Sequence, residues 1–488
     1  MTTIPSSKEF GLYYQQKRLA LYREEGDKVN EITTLNKIAR IHQELGQMNN
    51  ALEQFRTALI ISRELGDRAY ESTALNNTGG VYDNLGKKEK ALECYQQALH
   101  IRLEVGDRRG EAITLNNIGG VYSDLGQKQR ALDYYEQSLP IRRDVGDRAG
   151  EAITLNNIGG VYDDLGQKDQ ALEYYEQALP IRREEDDRRG EATTLNNIGG
   201  VYDDLGQKDQ ALEYYEQALP IIREVGNRRG EAATLNNIGG VYSDLGQKDQ
   251  ALEYYEQAMH ISSKVGDRVG EAKTLNNIGR VCSDLGQLEK ALEYFEQALP
   301  ILREVGDRAS EATTLNNIGW VYSAFGQIET ALNYYKEALP IYRDVGGRAG
   351  EAAILNNMGL IYSDLGQKEE ALNYYEEALT ICREVGYRAG EASTLNNIGM
   401  AYLALDQREK GLDYYEQALL ISREVGDRAG EAKTLNNVAF IFAEQGRLAD
   451  AVPLMEKVVA IDEEIRHPDL EKDRAALEML RQRLSEQQ

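Results

Sequence analysis

The chain has 488 residues and a formal charge of −25, from 56 Lys plus Arg against 81 Asp plus Glu. So acidic a chain argues against nucleic acid, whose phosphates need a basic footprint, and against an anionic membrane face. Hydrophobic residues reach 41% with only 8 Pro, too apolar for a disordered linker, and no apolar run approaches the roughly 18 residues that span a bilayer.

The N-terminus, MTTIPSSKEF, lacks the basic start and apolar stretch of a signal peptide. Residues 1–26 read as half a repeat. Over residues 8–25, Leu12, Tyr14, Leu19 and Gly26-Asp27 keep the register of a second helix without its first. Residues 27–466 then hold eleven tandem copies. LNN begins at Leu75, Leu115, Leu155, Leu195, Leu235, Leu275, Leu315, Leu355, Leu395 and Leu435, always 40 residues apart, and a weaker copy opens with Leu35-Asn36-Lys37.

In residues 107–146 the copy predicts two helices. Asp107 is an N-cap, Glu111 places negative charge near the helix start, and Gly126 and Gly146 supply left-handed stops. The first helix is expected to reach about Leu125 and the second to run from Lys128 to Val145. On a helical wheel Leu115, Ile118, Gly119, Tyr122 and Leu125 share the face that packs on the second helix, whose stripe is Ala131, Tyr135, Ser138 and Leu139. Asn116, Gly120, Ser123 and Asp124 lie off that face. After residue 466, His467-Pro468 breaks the chain, and residues 467–488 are read as a capping segment with a charged amphipathic helix over 469–486.

The pattern Leu115-x-x-Ile118-Gly119-x-x-Tyr122, then Ala131-x-x-x-Tyr135 and Ser138, resembles the tetratricopeptide repeat. The usual unit is about 34 residues. The 40-residue form resembles Pins-type spindle-orientation adaptors and, less closely, kinesin light chains. The resemblance implies an all-α fold: a right-handed α-solenoid superhelix of antiparallel helix pairs, expected here to be continuous and without a domain break. It departs from the family in using Leu where a large aromatic often opens the motif. It also departs in placing Pro140, Pro180, Pro220, Pro300 and Pro340 inside second helices, where kinks are expected.

No catalytic constellation is found. The four histidines, His42, His100, His260 and His467, have neither metal nor nucleophile-pair spacing. NNIGGVYSDLG makes no phosphate loop. Asp163-Asp164 and Asp203-Asp204 would sit on first helices about 10 Å apart, too far to share a calcium ion. Cys94, Cys282 and Cys382 form no disulfide framework or C-x-x-C site, so a cytoplasmic, cofactor-free and metal-free protein is expected.

What remains is a surface. By the resemblance, first helices line the concave side and carry three columns. Asn76, Asn116, Asn156, Asn196, Asn236, Asn276, Asn316, Asn356, Asn396 and Asn436 are expected to hold a peptide backbone, because an amide both donates and accepts. The adjacent Asn117 column is expected at repeat-to-repeat contacts. Asp124, Asp164, Asp204 and Asp244 are expected to draw Lys or Arg from a partner. The third column is Gly from Gly80 to Gly240, then Arg280, and from Trp320 through Leu360, Met400 and Phe440 an apolar row of anchors. The expected function is a scaffold or adaptor whose partner is a basic protein or peptide with apolar anchors. The alternative is a sensory module whose superhelix changes shape when a ligand binds.

Overall fold

The computed structural model describes residues 7–465 and 467–487. Residues 1–6 of the expected half repeat, and residues 466 and 488 of the expected array and cap, lie outside them. All 24 elements among the described residues are α-helices. A lone helix, α1 (Ser7–Glu25), is followed by eleven pairs, from α2 (Lys28–Glu44) and α3 (Met48–Leu65) to α22 (Arg428–Glu444) and α23 (Leu448–Ile465). The last helix is α24 (Leu470–Gln487).

The chain divides into two compact units, one ending at Leu245 and the other beginning at Gly246. The boundary falls inside the sixth copy, where an array without a break was expected. Within each unit every helix packs on the helix before and after it, and each first helix also touches the next first helix.

Local chemistry explains the pairs. The Asp107 carboxylate accepts from the Gly110 N–H at 2.9 Å and so caps α6 (Arg108–Asp124). Gly126, at φ +72, turns the chain into α7 (Lys128–Asp144). A Cβ at Gly119 would lie 2.7 Å from the Tyr135 ring, so the glycine lets the buried tyrosine seat against the first helix. Ser138 is buried, and its hydroxyl donates to the Ala112 carbonyl at 2.8 Å. Leu125, expected on the packing face, is 39% exposed; as the C-cap residue it lies beyond the last packed turn. The second helices continue through Pro140, Pro180, Pro220, Pro300 and Pro340.

The Gly-Asp-Arg-x-Gly-Glu turn does more than the expected charge near a helix start. Glu151 is buried, and its two oxygens accept from Arg143 Nε at 2.7 Å and Arg148 Nη1 at 2.6 Å. Arg148 also reaches Glu184 at 3.1 Å in the following second helix. The motif is thus a buried carboxylate clamping the previous second helix to the next first helix. At the equivalent Glu71, burial pushes the carboxyl up, but the bonds from Arg63 and Arg68 outweigh it and hold the group below its usual range.

Because the contacts are between neighbours, removing residues 187–226 from the first unit joins Asp186 to Asn227 and restores the period. The shortened chain is expected to stay folded and to lose circular-dichroism helix signal only in proportion to its length. Aggregation or a wholesale loss of signal is the result that would count against nearest-neighbour stacking.

Candidate functional site

The first-helix residues picked out from the sequence divide between the two units. The Asn column is less free than expected. In the first unit, Asn76 Oδ1 accepts from Thr114 Oγ1 and Asn117 Nδ2, both at 3.2 Å. Asn116 Oδ1 accepts from Thr154 at 3.1 Å and Asn157 at 3.3 Å, and Asn156 Oδ1 from Thr194 at 3.1 Å and Asn197 at 3.3 Å. Asn196 Oδ1 accepts from Thr234 at 2.9 Å.

The second unit repeats the scheme. Asn316 accepts from Asn357 at 3.1 Å and Asn356 from Asn397 at 3.0 Å. Asn396 accepts from Thr434 at 3.3 Å and Asn437 at 3.1 Å. Asn276 donates to Thr314, and Asn436 donates to Asp473 at 3.4 Å. The column expected to face a peptide therefore shares the repeat-to-repeat bonding expected of its neighbour. Asn76, Asn116 and Asn396 are also buried, which takes them out of the accessible surface. Asn156, Asn196, Asn236, Asn276, Asn316, Asn356 and Asn436 are half-buried.

The Asp column is exposed, as expected, but its charge is partly matched. Lys88 Nζ reaches Asp124 at 2.5 Å, Lys168 reaches Asp204 at 2.5 Å and Lys208 reaches Asp244 at 2.6 Å; Lys128 pairs with Asp164. Lys168 and Lys208 also hold Asp163 and Asp203 in their own copies, at 2.6 and 2.5 Å. Each of these two lysines thus faces two carboxylates, and a net negative row remains. The signal for this ladder was in the sequence, as a lysine 36 residues before each Asp.

The third column lies open. A Cβ at Gly120 would meet only Tyr135 Oη, at 3.7 Å, so no contact from outside its own helix excludes a Cβ there. In the second unit Trp320 is 45% exposed, Met400 37% and Phe440 62%. Arg280 is exposed and Leu360 half-buried. Trp320, Met400 and Phe440 are thus left uncovered by the rest of the chain. Between α14 (Arg268–Asp284) and α16 (Arg308–Ala324) a cavity of about 200 Å³ is lined by Arg280, Asp284, Asn316 and Trp320. Asp284, one period after Asp244, continues the Asp column, so members of all three columns meet there.

The chain belongs to the tetratricopeptide-repeat family. Models of that repeat match residues 30–104, 100–144, 110–184, 150–224, 190–264, 230–304, 270–344, 352–385 and 390–464. The comparisons establish the repeat family itself, not its Pins-type or kinesin-light-chain branch. No curated protein sequence matches the chain. Among solved structures it is similar to the apo form of the quorum sensor NprR from B. thuringiensis, with 20% identity over 74% of this chain and 99% of that one, at a TM-score of 0.55. It is more loosely similar to aspartyl phosphate phosphatase F from Bacillus subtilis, with 17% identity over 70% and 96% of the two chains and a TM-score of 0.48. At these identities the likeness is one of fold. No helix among the described residues is long and apolar enough to cross a membrane.

Proposed function

We propose that this chain is a non-catalytic scaffold that binds a protein or peptide partner along its first-helix surface, with α1 and α24 closing the ends of the array. The observation that carries this is the uncovered row of Trp320, Met400 and Phe440 beside the cavity at Arg280 and Asn316. Exposed apolar side chains aligned on one column are a docking feature rather than a scattered background. The partner places apolar groups there and basic groups on the Asp row, which its lysines only partly neutralise. A cytoplasmic setting and the absence of any cofactor belong to the same reading.

The test is capture from native lysate on the full chain and on a Trp320→Ala, Met400→Ala, Phe440→Ala variant, with mass-spectrometric identification. A partner held by the wild type and lost by the variant is expected; identical sets would remove the apolar row from the site. Affinity for that partner is expected to fall with rising salt, since exposed charges are screened over about 10 Å at 0.1 M. Replacing Asp164, Asp204 and Asp244 by Asn should flatten that dependence. The second reading, a sensory module, draws on the shared fold of a protein described as a quorum sensor. A change in small-angle scattering when the partner binds would favour it over a passive scaffold.

A further inference from the structure

One position in the last turn of the second helices varies while its surroundings repeat: Ser62, Arg102, Arg142, Arg182, Ile222, Ser262, Leu302, Tyr342, Cys382, Ser422 and Asp462. It faces a niche formed with the first helices on either side. In three copies an arginine fills that niche from within. Arg102 Nη1 donates to the Gly110 carbonyl and to Thr114 Oγ1, each at 2.5 Å. Arg142 Nη1 donates to Asp147 at 2.8 Å, and Arg182 pairs with Asp187. All three arginines are buried.

In two copies without the arginine the niche is open. At Ile222 there is a cavity of about 100 Å³ and at Cys382 one of about 140 Å³. At Asp462, between α22, α23 and α24, the cavity grows to about 500 Å³. Asp462 lines it, is 1% exposed, and its Oδ2 has no hydrogen-bond partner. Asp473 lines it too, is 6% exposed, and accepts from Asn436 at 3.4 Å. So where three earlier copies put a guanidinium, this one puts a buried carboxylate, with a second carboxylate bonded to it and the cavity alongside the pair.

We propose that this terminal niche receives the guanidinium of an arginine side chain presented by a partner, completing from outside the arrangement that Arg102, Arg142 and Arg182 make from inside. Two carboxyls match the planar fork of a guanidinium better than a point charge. The charged and titratable groups facing the pair are Asp427, which caps α22, and Lys433 within it, His467 and Asp469 from the connection, and Lys472 from α24. Counting the pair itself, four carboxyls stand against two lysines there. Burial first, then the bond and charge of Asp462, raise the Asp473 carboxyl to about 6. The empty pair therefore holds a proton near that pH, which an entering cation displaces. This site stands independently of the first-helix reading, and either can fail alone.

The probe is Nα-acetyl-arginine amide, titrated by calorimetry into the full chain. Saturable binding is expected at pH 7.5, roughly tenfold weaker at pH 5, because the pair must lose its proton. At pH 5–6 binding should release a proton, seen as a heat that depends on the buffer, whereas at pH 7.5 the pair is already ionised and almost none should be released. Nα-acetyl-lysine amide should bind more weakly. Asp462→Arg refills the niche as Arg142 does and should abolish binding, with the melting temperature as the fold control. Asp462→Asn, which keeps the shape, should weaken binding at least tenfold. No saturable binding by the wild type, or unchanged binding by Asp462→Asn, would overturn the proposal. So would displacement of the probe by calcium, which would make the pocket a metal site.

Discussion

Alanine at Gly199 is expected to destabilise its copy by about 1–3 kcal/mol, whereas alanine at the next residue, Gly200, should stabilise it by about 0.5–1 kcal/mol. The two glycines are adjacent on α10 (Arg188–Asp204) but face different surroundings. A Cβ at Gly199 would stand 2.8 Å from two ring carbons of Tyr215, itself only 2% exposed. Neither the ring nor the backbone has a free direction to move in a packed interior. A Cβ at Gly200 would meet only Tyr215 Oη at 3.7 Å, an ordinary contact, and the helix gains because alanine loses less backbone freedom than glycine. Hydrogen exchange across α10 and α11 (Lys208–Glu224) reads the local effect in a protein whose copies open semi-independently. Equal effects of the two substitutions would show that the close approach of the helices does not depend on this Gly–Tyr contact. If Gly200→Ala stabilises the fold and yet weakens the partner, the glycine row is kept open for binding.

Trp320→Ala is expected to weaken the partner by about 2 kcal/mol or more, a thirtyfold loss of affinity, because interface energy gathers at a few large anchors. The fold should hardly notice. Trp320 is 45% exposed, so truncation removes little apolar area from the interior and leaves no closed void. Its neighbours in the cavity, Arg280 and Asn316, remain to line an emptied site. Titration calorimetry measures the loss and a thermal melt controls for stability. A steep fall in melting temperature with binding intact would make Trp320 a packing residue. Gly160→Trp tests the first unit separately: it should interfere only with a partner that also runs along the glycine row.

Much of this molecule is legible in one copy of its sequence. Asp107 before the first helix, Gly126 and Gly146 after the two helices, and Gly119 with Tyr135 between them specify a helix pair through capping, left-handed φ and close approach, all short-range effects. The period of 40 then dictates that such pairs stack. The row of Trp320, Met400 and Phe440 could also be read, because it breaks a repeated column. What only the tertiary structure decided is which copy each polar side chain serves. Asn116 bonds to Thr154 and Asn157, and Asp164 to Lys128; Glu151 ties Arg143 to Arg148. Most of these partners lie nearly one period away, and most copies carry the same residues at both ends. A helical wheel gives a residue its face but not its neighbour, so identical copies leave contacts within a repeat and contacts between repeats indistinguishable until the stacking distance and rotation are known. The niche at Asp462 shows the same limit: its carboxylate is the only acid in a column that holds arginine in three copies, but only the packing of α24 sets Asp473 beside it and leaves a cavity next to the pair.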